Sequence, residues 1–176
     1  LKAMFTMMNN ARLNVGIQGV SIAERAYQQA LKFSLTRMQG NSIDGASEGT
    51  VAIIDHPDVQ RMLMDMKSRT EAMRALSLYT ANELDLSKYA SSEEERYKAQ
   101  ENLDILTPIV KAWCTDQGVL ISSTGVQIHG GMGFIEETGA AQYYRDARIL
   151  PIYEGTNGIQ ALDLLRRKLT MDDGNV

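Results

Sequence analysis

Residues 13–38, LNVGIQGVSIAERAYQQALKFSLTRM, decide the fold class of this chain. Their largely apolar positions recur every three or four residues, the spacing that places side chains on one face of an α-helix. These positions are Leu13, Ile17, Val20, Ala23, Tyr27, Leu31, Leu35 and Met38. Gly16 and Gly19 interrupt the pattern only weakly, each costing about 1 kcal/mol against Ala unless a neighbour packs closely there. Nothing breaks the pattern until residues 39–41, so we predict one long helix over residues 3–38.

Two further long helices follow the first. Pro57 stands where a helix can begin, because the N–H that proline lacks would have no partner in the first turn. The second predicted helix runs from there to about Tyr89. Residues 92–95, SEEE, form a capping box that opens a third helix. Pro108 should end or kink this helix, whose pattern resumes beyond the proline and continues to Gln127.

The remaining segments are shorter. Residues 41–54 carry two glycines among Ser, Asn and Asp and are predicted to form a loop, although VAII at 51–54 could be mistaken for a strand. Residues 136–147 are predicted as a short helical piece, 149–158 as a connector and 159–169 as the last helix. Three long antiparallel helices and a shorter one, joined by short connections, predict an all-α, up-down four-helix bundle with an additional short helix.

The composition excludes several classes of protein. With 176 residues the chain is one domain or one piece of a larger protein, and its first residues, LKAMFTMMNN, lead us to expect an excised domain. A net charge of −4 argues against nucleic acid as the main partner. The one cysteine, Cys114, lies in an apolar helical series, so we expect a buried, unreactive thiol. Two histidines leave too few ligands for a zinc site, and no apolar run is long enough to span a bilayer.

Chemistry is concentrated in residues 127–158, QIHGGMGFIEETGAAQYYRDARILPIYEGTNG. The glycine cluster at 130–133 is either a helix C-cap followed by a turn, or a backbone that leaves N–H groups free to bind phosphate. Glu154 is either a solvated loop glutamate, or a carboxylate that bulky apolar neighbours desolvate into a general base. The local sequence favours the first interpretation of each. A phosphate cradle and a candidate base within one compact segment favour the second.

Three blocks of this stretch resemble the signature region of the flavin-dependent acyl-CoA dehydrogenases in their order and spacing: QIHGGMGF at 127–134, YYRDARI at 143–149 and IYEGT at 152–156. The first predicted helix is similar to the first helix of that family's C-terminal domain, so the resemblance covers nearly the whole chain. The chain resembles most the large bacterial type that includes the methylmercaptopropionyl-CoA dehydrogenases. The resemblance implies that residues 1–176 are the C-terminal helical domain of a three-domain flavoenzyme, expected in the bacterial cytoplasm.

The resemblance also implies roles for residues near a substrate. Glu154 matches the base that removes the α-proton of an acyl-CoA thioester, giving the trans-2-enoyl-CoA, while the β-hydride moves to N5 of FAD. Some relatives carry their base on the first helix, at the position of Ala11 here, and alanine cannot accept a proton. Arg12 matches an arginine near the base and the thioester end of the substrate. Asn9 stands where many relatives have an aspartate that contacts the substrate.

For the cofactor FAD, the resemblance implies five binding residues. Arg37 resembles an arginine that meets the flavin pyrophosphate across a subunit interface, although the segment after it is shorter than the usual R-x-x-F-G pattern. Gln127, Gly130 and Gly131 match a backbone cradle for the adenosine end of FAD. Thr156 matches a flavin contact just after the base.

The resemblance implies partners as well. They are an acyl-CoA substrate, an electron-transfer flavoprotein as electron acceptor, and further copies of the chain in a homodimer or homotetramer; no metal is implied. Two alternatives stay open: an acyl-CoA oxidase that uses oxygen, and a non-catalytic helical oligomerisation module of the same fold. Glu154, Arg12 and the glycine cradle together argue against the second alternative, because a decayed enzyme would have no need of all three.

Overall fold

Three long helices build the fold, and each packs against the other two. They are α1 at Lys2–Thr36, α2 at Pro57–Tyr89 and α3 at Glu93–His129. The structure, a computed structural model, describes residues 2–43, 45 and 49–170. The predicted all-α helical bundle is confirmed, with boundaries of the long helices within two residues of those expected from the apolar spacing.

Shorter elements follow α3 and complete the bundle. They are α4 at Gly131–Phe134, a 3₁₀ turn at Glu136–Thr138, α5 at Ala140–Ala147, α6 at Asn157–Asp163 and a π-helical turn at Leu164–Lys168. Both α5 and α6 pack against α3. The last helix begins two residues earlier than predicted because Thr156 caps it: Thr156 Oγ1 accepts a hydrogen bond of 3.3 Å from the backbone N–H of Ile159.

A small β-hairpin begins at the last residue of the first predicted helix and extends into the segment predicted as a loop, so both predictions were wrong in part. Strand β1 at Met38–Asn41 pairs antiparallel with β2 at Thr50–Ala52. All four residues of β1 are exposed, so the strand lacks the alternation of buried and exposed side chains from which a strand is recognised in a sequence. The hairpin is fastened to the bundle where the N–H of Ile53 donates to the carbonyl of Arg37 at 2.8 Å.

Pro108 does not end α3, which continues unbroken to His129. A proline inside a helix removes one backbone hydrogen bond and costs about 3 kcal/mol. The helix persists because the residues on both sides of Pro108, among them Leu103 and Val110, are buried against the other helices. Burial of an apolar face here outweighs the local penalty of proline.

Glycines bring α1 and α3 into close contact. A Cβ built on Gly19 would lie 2.5 Å from the carbonyl oxygen of Cys114, and one built on Gly16 would lie 2.5 Å from Val110 Cγ1. Both distances are too short for any side chain, so these two positions of α1 accept only glycine at this separation of the helices. The glycines that weaken the sequence pattern of α1 are therefore the residues that allow its packing.

The core lies between the three long helices. Its buried apolar residues include Leu13, Val20, Ala23 and Ala30 of α1, Leu63, Met66 and Met73 of α2, and Val110, Cys114, Ile121 and Ile128 of α3. Cys114 is fully buried, which confirms the prediction of a packed thiol. Within the described part of the chain, none of the helices combines the length and the apolar character that crossing a membrane requires.

Candidate active site and cofactor-binding cavity

Glu154 lies on a tight loop between α5 and α6. The backbone N–H of Asn157 donates to the carbonyl of Pro151 at 3.0 Å and closes this loop. Glu154 has a φ of 55° and Gly155 a φ of 82°, so two consecutive residues adopt left-handed conformations. Among the described residues Glu154 is the only one other than glycine with a positive φ. A left-handed conformation costs a residue with a Cβ about 1–2 kcal/mol, and such strain is concentrated at functional sites.

The Glu154 side chain is exposed on this chain. The neighbouring Tyr153 is 37% exposed, and its hydroxyl donates to Gln18 Oε1 of α1, which ties the loop to the first helix. Burial, and then the negative charge of Glu154, raise the pKa of the Tyr153 phenol. The apolar neighbours that the sequence places beside Glu154 are thus present, but this chain alone does not enclose the carboxylate.

The inner side of the same loop is held by a buried glutamine. Gln160 is 1% exposed, and its Nε2 donates to the carbonyl oxygens of Glu154 at 3.3 Å and of Gly155 at 3.2 Å. One side chain thereby contacts both residues that have left-handed backbone conformations. The Glu154 side chain is exposed and the Gln160 side chain is buried.

A buried lysine reaches the loop through Asn157. Lys111 of α3 is 0% exposed, and its Nζ donates to Asn157 Oδ1 at 2.8 Å. The Asn157 amide in turn donates to three oxygens of α3: the carbonyl of Ala112 at 3.1 Å, Thr115 Oγ1 at 3.0 Å and Asp116 Oδ1 at 2.8 Å. Asn157 therefore joins the end of the Glu154 loop to the middle of α3.

The electrostatic surroundings of Lys111 include the candidate base. Burial is the largest effect and lowers the pKa of the Lys111 ammonium. The carboxylate of Asp116 opposes this shift, the guanidinium of Arg12 adds to it, and the carboxylate of Glu154 opposes it. Lys111, Arg12 and Glu154 are therefore close enough to interact electrostatically, although they come from α3, α1 and the loop.

Arg12 and Asn9, the predicted substrate-binding residues, lie on α1 next to the loop. Arg12 Nη1 donates to Asn9 Oδ1 at 3.4 Å and forms an ion pair of 3.3 Å with Asp163 of α6. The Arg12 side chain is 11% exposed. A Cβ built on Gly155 would lie 3.9 Å from Arg12 Nη2, which places the guanidinium against the base-bearing loop. The structure therefore brings Asn9, Arg12 and Glu154 into one region.

Four of the five predicted cofactor residues line one cavity of about 610 Å³. They are Arg37, Gln127, Gly130 and Gly131. The cavity lies where the ends of α1 and α3 meet the hairpin, and its volume falls in the range of about 300–1,000 Å³ that is usual for small-molecule sites. In the described residues, no three His, Cys, Asp or Glu side chains come together in a way that could hold a metal ion.

The chemistry of this cavity suits one end of a dinucleotide. The exposed Arg37 places a guanidinium at the cavity wall, where a pyrophosphate would find a positive charge. Gly130 has a φ of 58°, and Cβ atoms built on Gly130 and Gly131 would meet nothing within 4 Å, so the backbone here faces open space. A ligand can therefore approach this backbone closely. The residues present fit the part of FAD that the resemblance assigns to them.

Thr156 is separated from the other predicted cofactor residues. It lies two residues after Glu154 and caps α6 through its hydroxyl, so it belongs to the region of the base and not to the cavity. His56 lines the cavity, and its Nε2 donates to the carbonyl of Gln39 at 2.7 Å. Sequence reasoning missed His56, since an isolated histidine before Pro57 carries no signal beyond its place at a helix start.

The comparison with known proteins identifies the family. A sequence model of the family described as "Acyl-CoA dehydrogenase, C-terminal domain" matches residues 1–169. The chain belongs to the acyl-CoA dehydrogenase family. This acyl-CoA dehydrogenase domain is 56% identical over 174 residues to the 3-methylmercaptopropionyl-CoA dehydrogenase of Ruegeria pomeroyi, a match that covers 99% of this chain and 29% of that protein.

Two butyryl-CoA dehydrogenases are also similar to this acyl-CoA dehydrogenase domain. The enzyme of Syntrophomonas wolfei is 41% identical over 171 residues, which cover 97% of this chain and 28% of that protein. The solved structure of the enzyme from Megasphaera elsdenii superposes with a TM-score of 0.72 at 28% identity, over 90% of this chain and 36% of that chain. The chain thus spans less than a third of the length of the curated relatives from Ruegeria pomeroyi and Syntrophomonas wolfei.

Proposed function

We propose that the polypeptide to which this chain belongs oxidises an acyl-CoA thioester to the trans-2-enoyl-CoA with bound FAD, and that Glu154 removes the α-proton. The observation that carries the proposal is the conformation of Glu154. Its backbone is held in a left-handed turn by Gln160 while its side chain is exposed, and the adjoining Gly155 lies against Arg12, which bonds Asn9. Membership of the acyl-CoA dehydrogenase family supports the reaction class.

In this proposal the residues of the chain prepare the proton transfer. The Glu154 carboxylate accepts the α-proton, and the backbone N–H of Glu154 donates to the thioester carbonyl, where negative charge develops. Arg12, with its charge balanced by Asp163, lies at the thioester end, and Asn9 contacts the substrate. When bound, FAD supplies the acceptor for the β-hydride. Because Glu154 is exposed on this chain, the proposal requires another part of the protein to cover the site and exclude water.

The cavity is the proposed site for the adenosine and pyrophosphate end of FAD. Arg37 would pair with the pyrophosphate, and the backbone at Gln127, Gly130 and Gly131 would contact the adenosine. Thr156 would contact the flavin end, on the side of Glu154. We propose that the FAD in this cavity is bound mainly by a neighbouring subunit, which makes the enzyme a homodimer or a homotetramer. Sedimentation of the full-length holoenzyme as a monomer would contradict this part.

The relatives narrow the choice of substrates to test. One relative is named for 3-methylmercaptopropionyl-CoA and another for butyryl-CoA, so we propose a short-chain acyl-CoA as substrate. An electron-transfer flavoprotein is the proposed acceptor of the electrons, in the cytoplasm of a bacterium.

The decisive experiment uses the full-length protein. We expect FAD to copurify with it and the flavin absorbance to bleach without oxygen on addition of 3-methylmercaptopropionyl-CoA or butyryl-CoA. Reoxidation by an electron-transfer flavoprotein, with little peroxide in air, would support the dehydrogenase. Rapid formation of hydrogen peroxide would instead identify an acyl-CoA oxidase. Protein that holds no FAD, or whose flavin no acyl-CoA bleaches, would contradict the proposal and favour a non-catalytic module.

A further inference from the structure

The left-handed turn at Glu154 and Gly155 needs an external support. Glycine adopts a positive φ at no steric cost, but at Glu154 the Cβ makes the conformation unfavourable. A strained conformation persists only where the surrounding structure holds it in place. The contacts on the buried side of the loop therefore decide where the Glu154 carboxylate points.

Gln160 supplies the first of these contacts, and in doing so leaves one of its own polar atoms without a partner. Its Nε2 donates to both carbonyl oxygens of the turn, while its Oε1 is buried and has no hydrogen-bond partner. A buried oxygen without a partner destabilises the folded protein. Rotating the amide by 180° would place Oε1 next to two carbonyl oxygens, which have no hydrogen to donate to it. The orientation that lets Nε2 donate to both carbonyls is therefore the one that leaves Oε1 unpaired. The side-chain amide of Gln160 is thus oriented to donate to the carbonyl oxygens of Glu154 and Gly155.

Lys111 and Asn157 supply the second contact. Asn157 accepts from the fully buried Lys111 Nζ at 2.8 Å, and its backbone N–H donates to Pro151, so it connects the loop closure to α3. Burying an ammonium is costly, and a core would be better served by an apolar side chain of similar volume. The requirements of the core alone therefore do not explain a lysine at this position.

We propose that Gln160, Asn157 and Lys111 are positioning residues. Their hydrogen bonds hold the Glu154 loop in place from its buried side and so set the direction of the Glu154 carboxylate. They act through the backbone of residues 151–157. This proposal rests on the proposed role of Glu154 as the base.

Replacing Gln160 by Met in the full-length holoenzyme tests the proposal. Methionine keeps the length and volume of glutamine but removes the Nε2 donor. Because small displacements of a reacting group reduce rates steeply, we expect the rate constant for anaerobic flavin reduction to fall by at least about ten-fold at saturating acyl-CoA. The dissociation constant for acyl-CoA and the FAD content should stay within about two-fold of the parent.

Gln29 offers a matched control. Its Nε2 also donates to a loop carbonyl, that of Thr138, and its Oε1 is likewise buried without a partner. It lies far along α1 from the Glu154 loop. Gln29→Met should therefore cause a comparable shift in the thermal midpoint of the holoenzyme, but leave the rate of flavin reduction within about two-fold of the parent.

Three results would overturn the proposal, each in a distinguishable way. If Gln160→Met reduces its flavin at the parental rate, the hydrogen bonds from Gln160 to the loop do not position the base. If Gln29→Met slows reduction as much as Gln160→Met does, the effect is one of general stability. If the parent itself is not bleached by acyl-CoA, the proposed function fails, and this proposal with it. Should Gln160→Met not fold, Asn157→Ser, whose shorter side chain cannot reach Lys111, replaces it in the same comparison, with the same expected and contradicting rates.

Discussion

The buried ammonium of Lys111 links the stability of the protein to pH. Since burial lowers its pKa in the folded protein, the unfolded chain binds more protons between the lowered value and the ordinary value of 10.5. The contribution of Lys111 to stability is therefore complete above the ordinary value and is lost as the pH falls through the lowered one. We expect the free energy of unfolding of the parent, relative to that of Lys111→Met, to rise with pH across this interval.

Urea unfolding of both proteins, from neutral pH upward, measures this difference. Groups that titrate equally in the parent and in Lys111→Met cancel. A difference that stays constant or falls over the same interval would show that the ammonium is not desolvated in the folded protein.

Cys114 provides a second test that concerns a single residue. Burial raises the pKa of its thiol to about 11, an effect that the hydrogen bond with Ser77 offsets only in part. At pH 8 roughly one thiol in a thousand would be ionised even if it were accessible, and only the thiolate reacts readily. We expect no labelling of the folded protein by a thiol-specific disulfide reagent at pH 8, and complete labelling in urea. Fast labelling without denaturant would contradict the burial of Cys114.

Among the helices, the contact between α1 and α3 depends on Gly19. Helix propensity alone predicts that Gly19→Ala stabilises the protein by about 1 kcal/mol. The structure predicts the opposite, because the new Cβ would lie 2.5 Å from the backbone of Cys114 and the helices would have to separate. We expect a net destabilisation of about 1–3 kcal/mol, measured by urea unfolding.

Gly158→Ala is the control for this substitution. Gly158 also lies in a helix, but a Cβ built there meets only Thr156 Oγ1, at 3.8 Å. Alanine at this position should leave the stability unchanged or raise it slightly. If Gly19→Ala changes the stability as little as Gly158→Ala does, the helices α1 and α3 do not approach each other as closely at Gly19 as the structure shows.

The elements differ in how well the sequence predicts them. The long helices could be predicted because their apolar spacing extends over many turns, and packing later reinforces it. The hairpin could not, because β1 is short and exposed on all four residues. The continuation of α3 through Pro108 could not be predicted either, because the burial that outweighs a proline comes from other helices and leaves no local signal.

At the scale of the whole molecule, some residues of the candidate site could be predicted from the sequence and others could not. Glu154 and the glycines of the cavity could be found in the sequence because each stands in a compact local motif. Lys111, Gln160 and Asp163 could not, because their importance arises only when α1, α3 and α6 pack together and bury them.

The proposed chemistry of the molecule depends on Glu154 being the base, which the rate of flavin reduction can test. Stopped-flow reduction of the flavin by acyl-CoA, without oxygen, should be at least about 100-fold slower in full-length Glu154→Gln than in the parent, with FAD still bound. Glu136→Gln and Glu137→Gln remove exposed carboxylates of the 3₁₀ turn at Glu136–Thr138 and should keep most of the rate. If Glu154→Gln binds its substrate and reduces its flavin at nearly the parental rate, the base lies elsewhere and the proposed roles of the residues around it are wrong.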